Sequence, residues 1–143
     1  MVLLVLLGFA VVALAHTAPA PFVLDAMAGD TAVWHMPRGD PPTVYLTFDD
    51  GPNPSTTPDL LDVLSREGVP ATFFLIDEPL TGDTAPIVRR IVAEGHAIGL
   101  HSATRAHMLL SPEALNQTLT AAAQRIERAG GAPPCRAFRP HAG

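Results

Sequence analysis

From Thr43 onward the spacing of apolar residues alternates between two periods. "TVYLTF" at 43–48 is β-branched and aromatic and reads as a strand. "ATFFLI" at 71–76, "HAIGL" at 96–100 and "RAFRP" at 136–140 read the same way. The intervening segments have helical spacing. One helix runs through "TTPDLLDVLSREG", with Thr57 as its cap, Pro58 in the first helical position and Gly68 as its stop. A second runs through "TAPIVRRIVAEG", with Ile87, Val88, Ile91 and Val92 on one face and Gly95 at its end. A third, capped by Ser111, turns Leu115, Leu119, Ala122 and Ile126 inward. Adjacent Phe73 and Phe74 point to opposite faces of their strand, and both are expected in the core.

Strands alternating with helices predict a parallel α/β sheet. In such sheets, sites form at the carboxyl ends of the strands. Asp49-Asp50 follow the first strand, His101-Ser102 the third, and Arg139 and His141 the fourth. Three strand ends therefore deliver polar residues to one edge. Asp77 and Glu78 end the second strand on the same edge and read as a solvated carboxylate pair.

The segment before Thr43 has a different character. Val2 to Ala15 carries no charge, and its length suits an export signal better than a full membrane span of roughly 20 residues. Ala13-Leu14-Ala15 offers small residues for cleavage, although no Lys or Arg precedes the run. Residues 1–15 are thus expected to be a signal peptide or membrane anchor. Residues 16–42, rich in Ala and Pro, are expected to be a leader with a short strand around Thr31 to Trp34. The chain is then secreted or extracytoplasmic, touching membrane only through that N-terminal anchor.

Composition narrows the chemistry. The 143 residues are 48% hydrophobic, enough for one folded domain. Nine Lys and Arg against 14 Asp and Glu leave a net charge of -5 and no basic stripe, which disfavours nucleic acid as a partner. One cysteine, Cys135, supplies neither an internal disulfide nor a thiolate cluster. Six histidines offer the imidazoles that borderline metals prefer. Adjacent Asp49 and Asp50 repel unless a cation sits beside them, and a divalent metal fills that role. One carboxylate can bind the ion while the other accepts a proton from a water. Gly51-Pro52 then turns the chain away. No G-x-S-x-G nucleophile elbow occurs. His96 at the start of the third strand reads as structural, and His16 and His35 as solvent-facing.

"TFDDGP", "GHAIGLHS" with "LSPEAL", and "RAFRPHAG" resemble, in order and spacing, the three motifs of the NodB-homology polysaccharide deacetylases, carbohydrate esterase family 4. The resemblance covers 43–143 and implies the N-terminal portion of a distorted (β/α) barrel, truncated after about four strands. It also implies metal-dependent removal of acetyl groups from an N- or O-acetylated polysaccharide or oligosaccharide. The metal is expected to be zinc, with cobalt or nickel as substitutes. By motif position, Asp49 matches the general base, Asp50 the metal-binding aspartate and His101 the first metal histidine. Ser102 matches the hydroxyl residue supporting that loop. Arg139 matches the arginine that orients the base, and the backbone N–H near Ala142 an oxyanion donor.

Two motif positions depart from the family. Its second histidine lies four residues after the first, where this chain has Arg105; the next histidine is His107. His107 is the expected third ligand if the segment is an irregular loop or is remodelled by two residues. Counting back from "LSPEAL" instead aligns Arg105 with the missing histidine. Arg105 is then read as holding a substrate carboxylate or as neutralising the aspartates without metal. In the third motif, His141-Ala142 replace the usual proline and aromatic, so His141 is read as a replacement ligand or acid, or as a groove histidine. A C-terminal histidine that protonates the leaving amine is expected beyond the third motif, and the sequence is read as a fragment of the parent enzyme. The competing expectation is a carbohydrate-binding or scaffold protein that kept the fold without catalysis.

Overall fold

A computed structural model describes residues 3–7, 10, 33, 36, 41–78 and 80–141. The chain divides into two compact units, Met1–Thr43 and Val44–Gly143. In the first unit, residues 3–7 are helical, with exposed side chains. Among the described residues no helix is long and apolar enough to cross a membrane. Most of the expected signal and leader, with the short strand near Thr31, lies outside the described residues.

The second unit alternates strands and helices. In order these are β1 (Thr47–Gly51), α1 (Thr57–Glu67), β2 (Thr72–Leu75), α2 (Ala85–Ala93), β3 (Ala97–His101), a 3-10 helix (Arg105–Leu109), α3 (Pro112–Gly130) and β4 (Phe138–Arg139). The sheet order is β1-β2-β3-β4, and every neighbouring pair is parallel. This is the α/β architecture that the alternating periods predict.

Register sorts the strand residues onto two faces. Phe48, Phe73 and Ile98 are aligned across the sheet, as are Leu75 and Leu100 one pleat further on. Leu100 aligns in turn with Phe138. These residues face the helices. Phe73, Leu75 and Ile98 share a buried core with Leu61 and Leu64 of α1, Ile87, Val88 and Ile91 of α2, and Ile126 of α3, with Phe48 and Leu100 packed against it. The opposite face carries Thr47, Asp49, Phe74, Gly99, His101 and Arg139, because alternate strand residues point to opposite sides. One face is thus an apolar core and the other carries the chemistry.

Local chemistry adjusts the element boundaries. β1 starts at Thr47 rather than Thr43, and Val44 is exposed. Among the described residues it pairs only with β2, whose Thr72 N–H donates to Leu46 O at 3.0 Å, and residues 43–45 have no strand partner there. At α1, Thr57 is the first helical residue rather than the cap. Its hydroxyl accepts from Asn53 N at 2.9 Å. Asn53 Oδ1 accepts from the N–H groups of Ser55 and Thr56 at 2.9 and 3.2 Å, so the asparagine organises the turn. Gly68 ends α1 in a left-handed conformation (φ 64), where its N–H bonds back to Leu64 and Ser65 carbonyls. Ser111 caps α3 as expected, its Oγ accepting from Ala114 N at 3.2 Å. Leu115 and Leu119 are only half-buried, whereas Ala122 and Ile126 are buried.

Candidate metal and active site

The site begins at a break in the pleat of β1. In a regular strand Asp49 and Asp50 would face opposite sides of the sheet. Here the register shifts between Asp49 and Gly51, and Asp50 takes φ 68. Asp is among the residues that tolerate this left-handed region. Such a bulge leaves one residue unpaired and re-aims its side chain. The Asp50 carboxylate thereby reaches the site face, with Oδ1 3.3 Å from His101 Nε2. Gly51-Pro52, joined by a cis peptide, leads the chain into the turn before α1.

His101 ends β3 and is buried. Its Nδ1 lies 2.7 Å from the Arg139 carbonyl, which orients the ring and leaves Nε2 toward Asp50. Next to it Ser102, also buried, accepts a hydrogen bond from His141 N through Oγ at 2.7 Å. This bond ties the end of β4 to the end of β3. The His141 ring sits beside that of His101, with centroids 5.9 Å apart. Asp50, His101 and His141 each present a ligand atom within 4.8 Å of the others.

The second half of the site is centred on Arg139. Its Nη1 donates to Asp49 Oδ1 at 2.7 Å and to Thr47 Oγ1 at 3.0 Å. The guanidinium carbon lies 4.0 Å over the Phe74 ring. One residue of β4 therefore serves both halves: its carbonyl orients His101 and its guanidinium fixes Asp49. A cavity of about 350 Å³ opens beside the acid pair, lined in part by Phe48, Asn53, Thr56 and Leu60.

The donor set fits a divalent metal. One carboxylate and two imidazoles suit a borderline cation such as zinc, and three protein donors is the number that open catalytic sites use. His101 has the outer partner that a ligating imidazole normally has, a carbonyl on its other nitrogen. His141 Nδ1 is buried without a hydrogen-bond partner among the described residues, as an atom awaiting a ligand would be.

Other sequence-selected residues fall elsewhere. His107 is in the 3-10 helix Arg105–Leu109, its N–H 3.4 Å from Thr104 O, and is not part of the converging donor set. The set holds His141, which the sequence offered as a replacement ligand, and not His107, which it offered as third ligand if the loop is remodelled. Spacing along a loop does not report that β4 returns beside β3. Arg105 is exposed and makes no ion pair among the described residues. Ala142 lies outside the described residues. Asp77 is not simply solvated, since it forms a short ion pair with Arg125 of α3. His96 is buried at the far end of β3, where Nδ1 accepts from Ala71 N at 3.2 Å. Thr47 and Phe74 went unnoticed as site residues. Their parity with Asp49, two positions away on the strand and aligned across the sheet, was the available signal.

An imidazole–carboxylate donor set beside an arginine-held aspartate, at the carboxyl edge of a parallel sheet, defines a candidate metal-hydrolase centre. The family model described as polysaccharide deacetylase matches residues 37–143, and the chain belongs to that family. A chitooligosaccharide deacetylase of Sinorhizobium fredii is 54% identical over 63 residues, 44% of this chain and 29% of that protein. A peptidoglycan-N-acetylglucosamine deacetylase of Listeria monocytogenes is 46% identical over 59 residues, 41% of this chain and 12% of the relative. Among solved structures, a family 4 carbohydrate esterase from Bacillus anthracis aligns with TM-score 0.61 and 34% identity, covering 69% of this chain and 48% of the other. A family 4 acetyl xylan esterase from Clostridium thermocellum, in complex with a cobalt ion, aligns with TM-score 0.60 and 36% identity over 66% and 46% of the two chains. The chain spans less than a third of these curated relatives and about half of these solved ones.

Proposed function

We propose that this chain carries the metal-binding and proton-accepting half of a hydrolase that removes acetyl groups from an acetylated glycan. The observation that carries the reading is the convergence of Asp50, His101 and His141 beside the Arg139–Asp49 pair. The relatives support the substrate class, since by name they act on chitooligosaccharide, peptidoglycan N-acetylglucosamine or acetyl xylan. Zinc is the proposed metal, and an extracytoplasmic location is proposed on the uncharged run Val2 to Ala15.

Asp50, His101 and His141 would hold the ion, which when bound supplies a Lewis acid for the acetyl carbonyl and an acidified water. Asp49 does not belong to the donor set, so its carboxylate is available as proton acceptor. Arg139 and Thr47 hold it in one orientation. The balance is simple: water adds to the acetyl carbon, the bond from that carbon to the sugar nitrogen or oxygen breaks, and the proton collected at Asp49 returns to the leaving group. Acetate and a free amine or hydroxyl result.

The test combines zinc calorimetry with acetate release from an N-acetylglucosamine oligomer. Asp50→Ala is expected to lose both zinc binding and turnover. Asp49→Ala is expected to keep zinc and lose turnover by about 10²–10⁴-fold. Equal zinc affinity in Asp50→Ala and wild type would refute the assignment. Arg105, at the position of the family's second histidine, favours one other reading, a glycan-binding protein without catalysis. Oligosaccharide binding with neither zinc binding nor acetate release, in a protein that carries this chain together with the remainder of the domain, would establish that alternative.

A further inference from the structure

We propose that Phe74 and Gly99 are positioning residues for the proton acceptor, acting through Arg139; the proposal rests on the reading of Asp49 as that acceptor. Phe74 is buried on the site face of β2, in register between Asp49 of β1 and Gly99 of β3. Its ring is not in the apolar cluster between sheet and helices. It lies instead beneath the Arg139 guanidinium, 4.0 Å from the guanidinium carbon. A cation over an aromatic face is attracted by the ring quadrupole, most strongly where water is excluded. Thr47 Oγ1 and Asp49 Oδ1 hold Nη1 from the side, at 3.0 and 2.7 Å. The platform and the two acceptors together fix the plane of the guanidinium, and with it the Asp49 carboxylate.

Gly99 makes the platform fit. A Cβ built at Gly99 would lie 2.6 and 2.7 Å from Phe74 Cε1 and Cδ1, and 3.3 Å from Ala137 O. Any side chain there must push the ring out of place. Glycine in a strand interior weakens the strand and commonly marks a close approach of this kind. The relay runs from Gly99 to Phe74, to Arg139, to Asp49, and each link is a direct contact or a steric limit.

The test uses the full chain in three variants: Phe74→Leu, Phe74→Tyr and Gly99→Ala. Proton NMR of the Arg139 side chain reads the stack directly through the ring-current shift of the aromatic. That upfield shift is expected in wild type and Phe74→Tyr, lost in Phe74→Leu and diminished in Gly99→Ala. In acetate release, Phe74→Leu and Gly99→Ala are expected to lower kcat about tenfold with KM unchanged, while Phe74→Tyr restores it. In the Phe74→Leu background, Gly99→Ala is expected to have little further effect. Zinc affinity should be the same in all. An unshifted Arg139 in wild type, an undiminished kcat in folded Phe74→Leu, or a parallel loss of zinc affinity would each overturn the proposal. Absence of both zinc binding and turnover, in a protein that carries this chain with the remainder of the domain, would instead count against the deacetylase reading, and the NMR arm on the chain itself would still decide whether the stack exists.

Discussion

Arg139 links the two halves of the site with different parts of one residue. Its carbonyl sits on His101 Nδ1, and its guanidinium sits on Asp49. A substitution that changes only the side chain should therefore separate them. Lysine lacks the planar fork that binds two acceptors and stacks on a ring. Arg139→Lys is expected to lower kcat by about 10- to 100-fold. Its zinc affinity should stay within about twofold, since the carbonyl remains. Paired calorimetry and kinetics check this. At this scale the sequence singled out Asp49, Asp50, His101 and Arg139, because each lies at or next to the end of an apolar strand, and the structure brings the four together. It could not choose between His107 and His141. That choice depends on the Ser102 Oγ bond to His141 N, which joins residues 39 apart in sequence.

The elements explain how two adjacent acids serve one site. The β1 bulge gives Asp50 a left-handed backbone and re-aims its carboxylate, while Asp49 keeps the regular pleat. The turn that follows is held by Asn53, whose Oδ1 accepts from Ser55 N, Thr56 N and the Ser55 hydroxyl. Asn53→Ala removes these acceptors at the head of α1 and is expected to cost about 1 kcal/mol, read as a lower urea midpoint with an unchanged slope. Helix and strand order were legible from periodicity, because the apolar faces of α1, α2 and α3 all meet one core. The start of β1 was not legible. "TVYL" has strand-like residues, but among the described residues β1 lies at the sheet edge and pairs only where β2 is present. Propensity alone does not make a strand without a partner.

Across the whole second unit, four parallel strands divide the labour between two faces. The helix-covered face buries the apolar residues, and the site face gathers donors from the ends of β1, β3 and β4. A metal held by Asp50, His101 and His141 would cross-link three strand ends in the folded state only. Stripping it with a chelator is expected to lower the thermal midpoint by about 10 °C relative to protein with zinc at a hundredfold its Kd. Asp50→Ala should abolish that difference, and a melt with and without chelator measures it. The two-faced plan was visible in the sequence as polar residues at the ends of apolar runs. The ligand set was only partly visible, since it depends on how β3 and β4 align in register.

The most direct measurement is the coordination sphere itself, by X-ray absorption at the zinc edge on wild type, His141→Ala and His107→Ala. Two imidazoles and a carboxylate are expected in wild type, with one imidazole lost in His141→Ala and none in His107→Ala. A sphere that keeps both imidazoles in His141→Ala and loses one in His107→Ala would contradict the account.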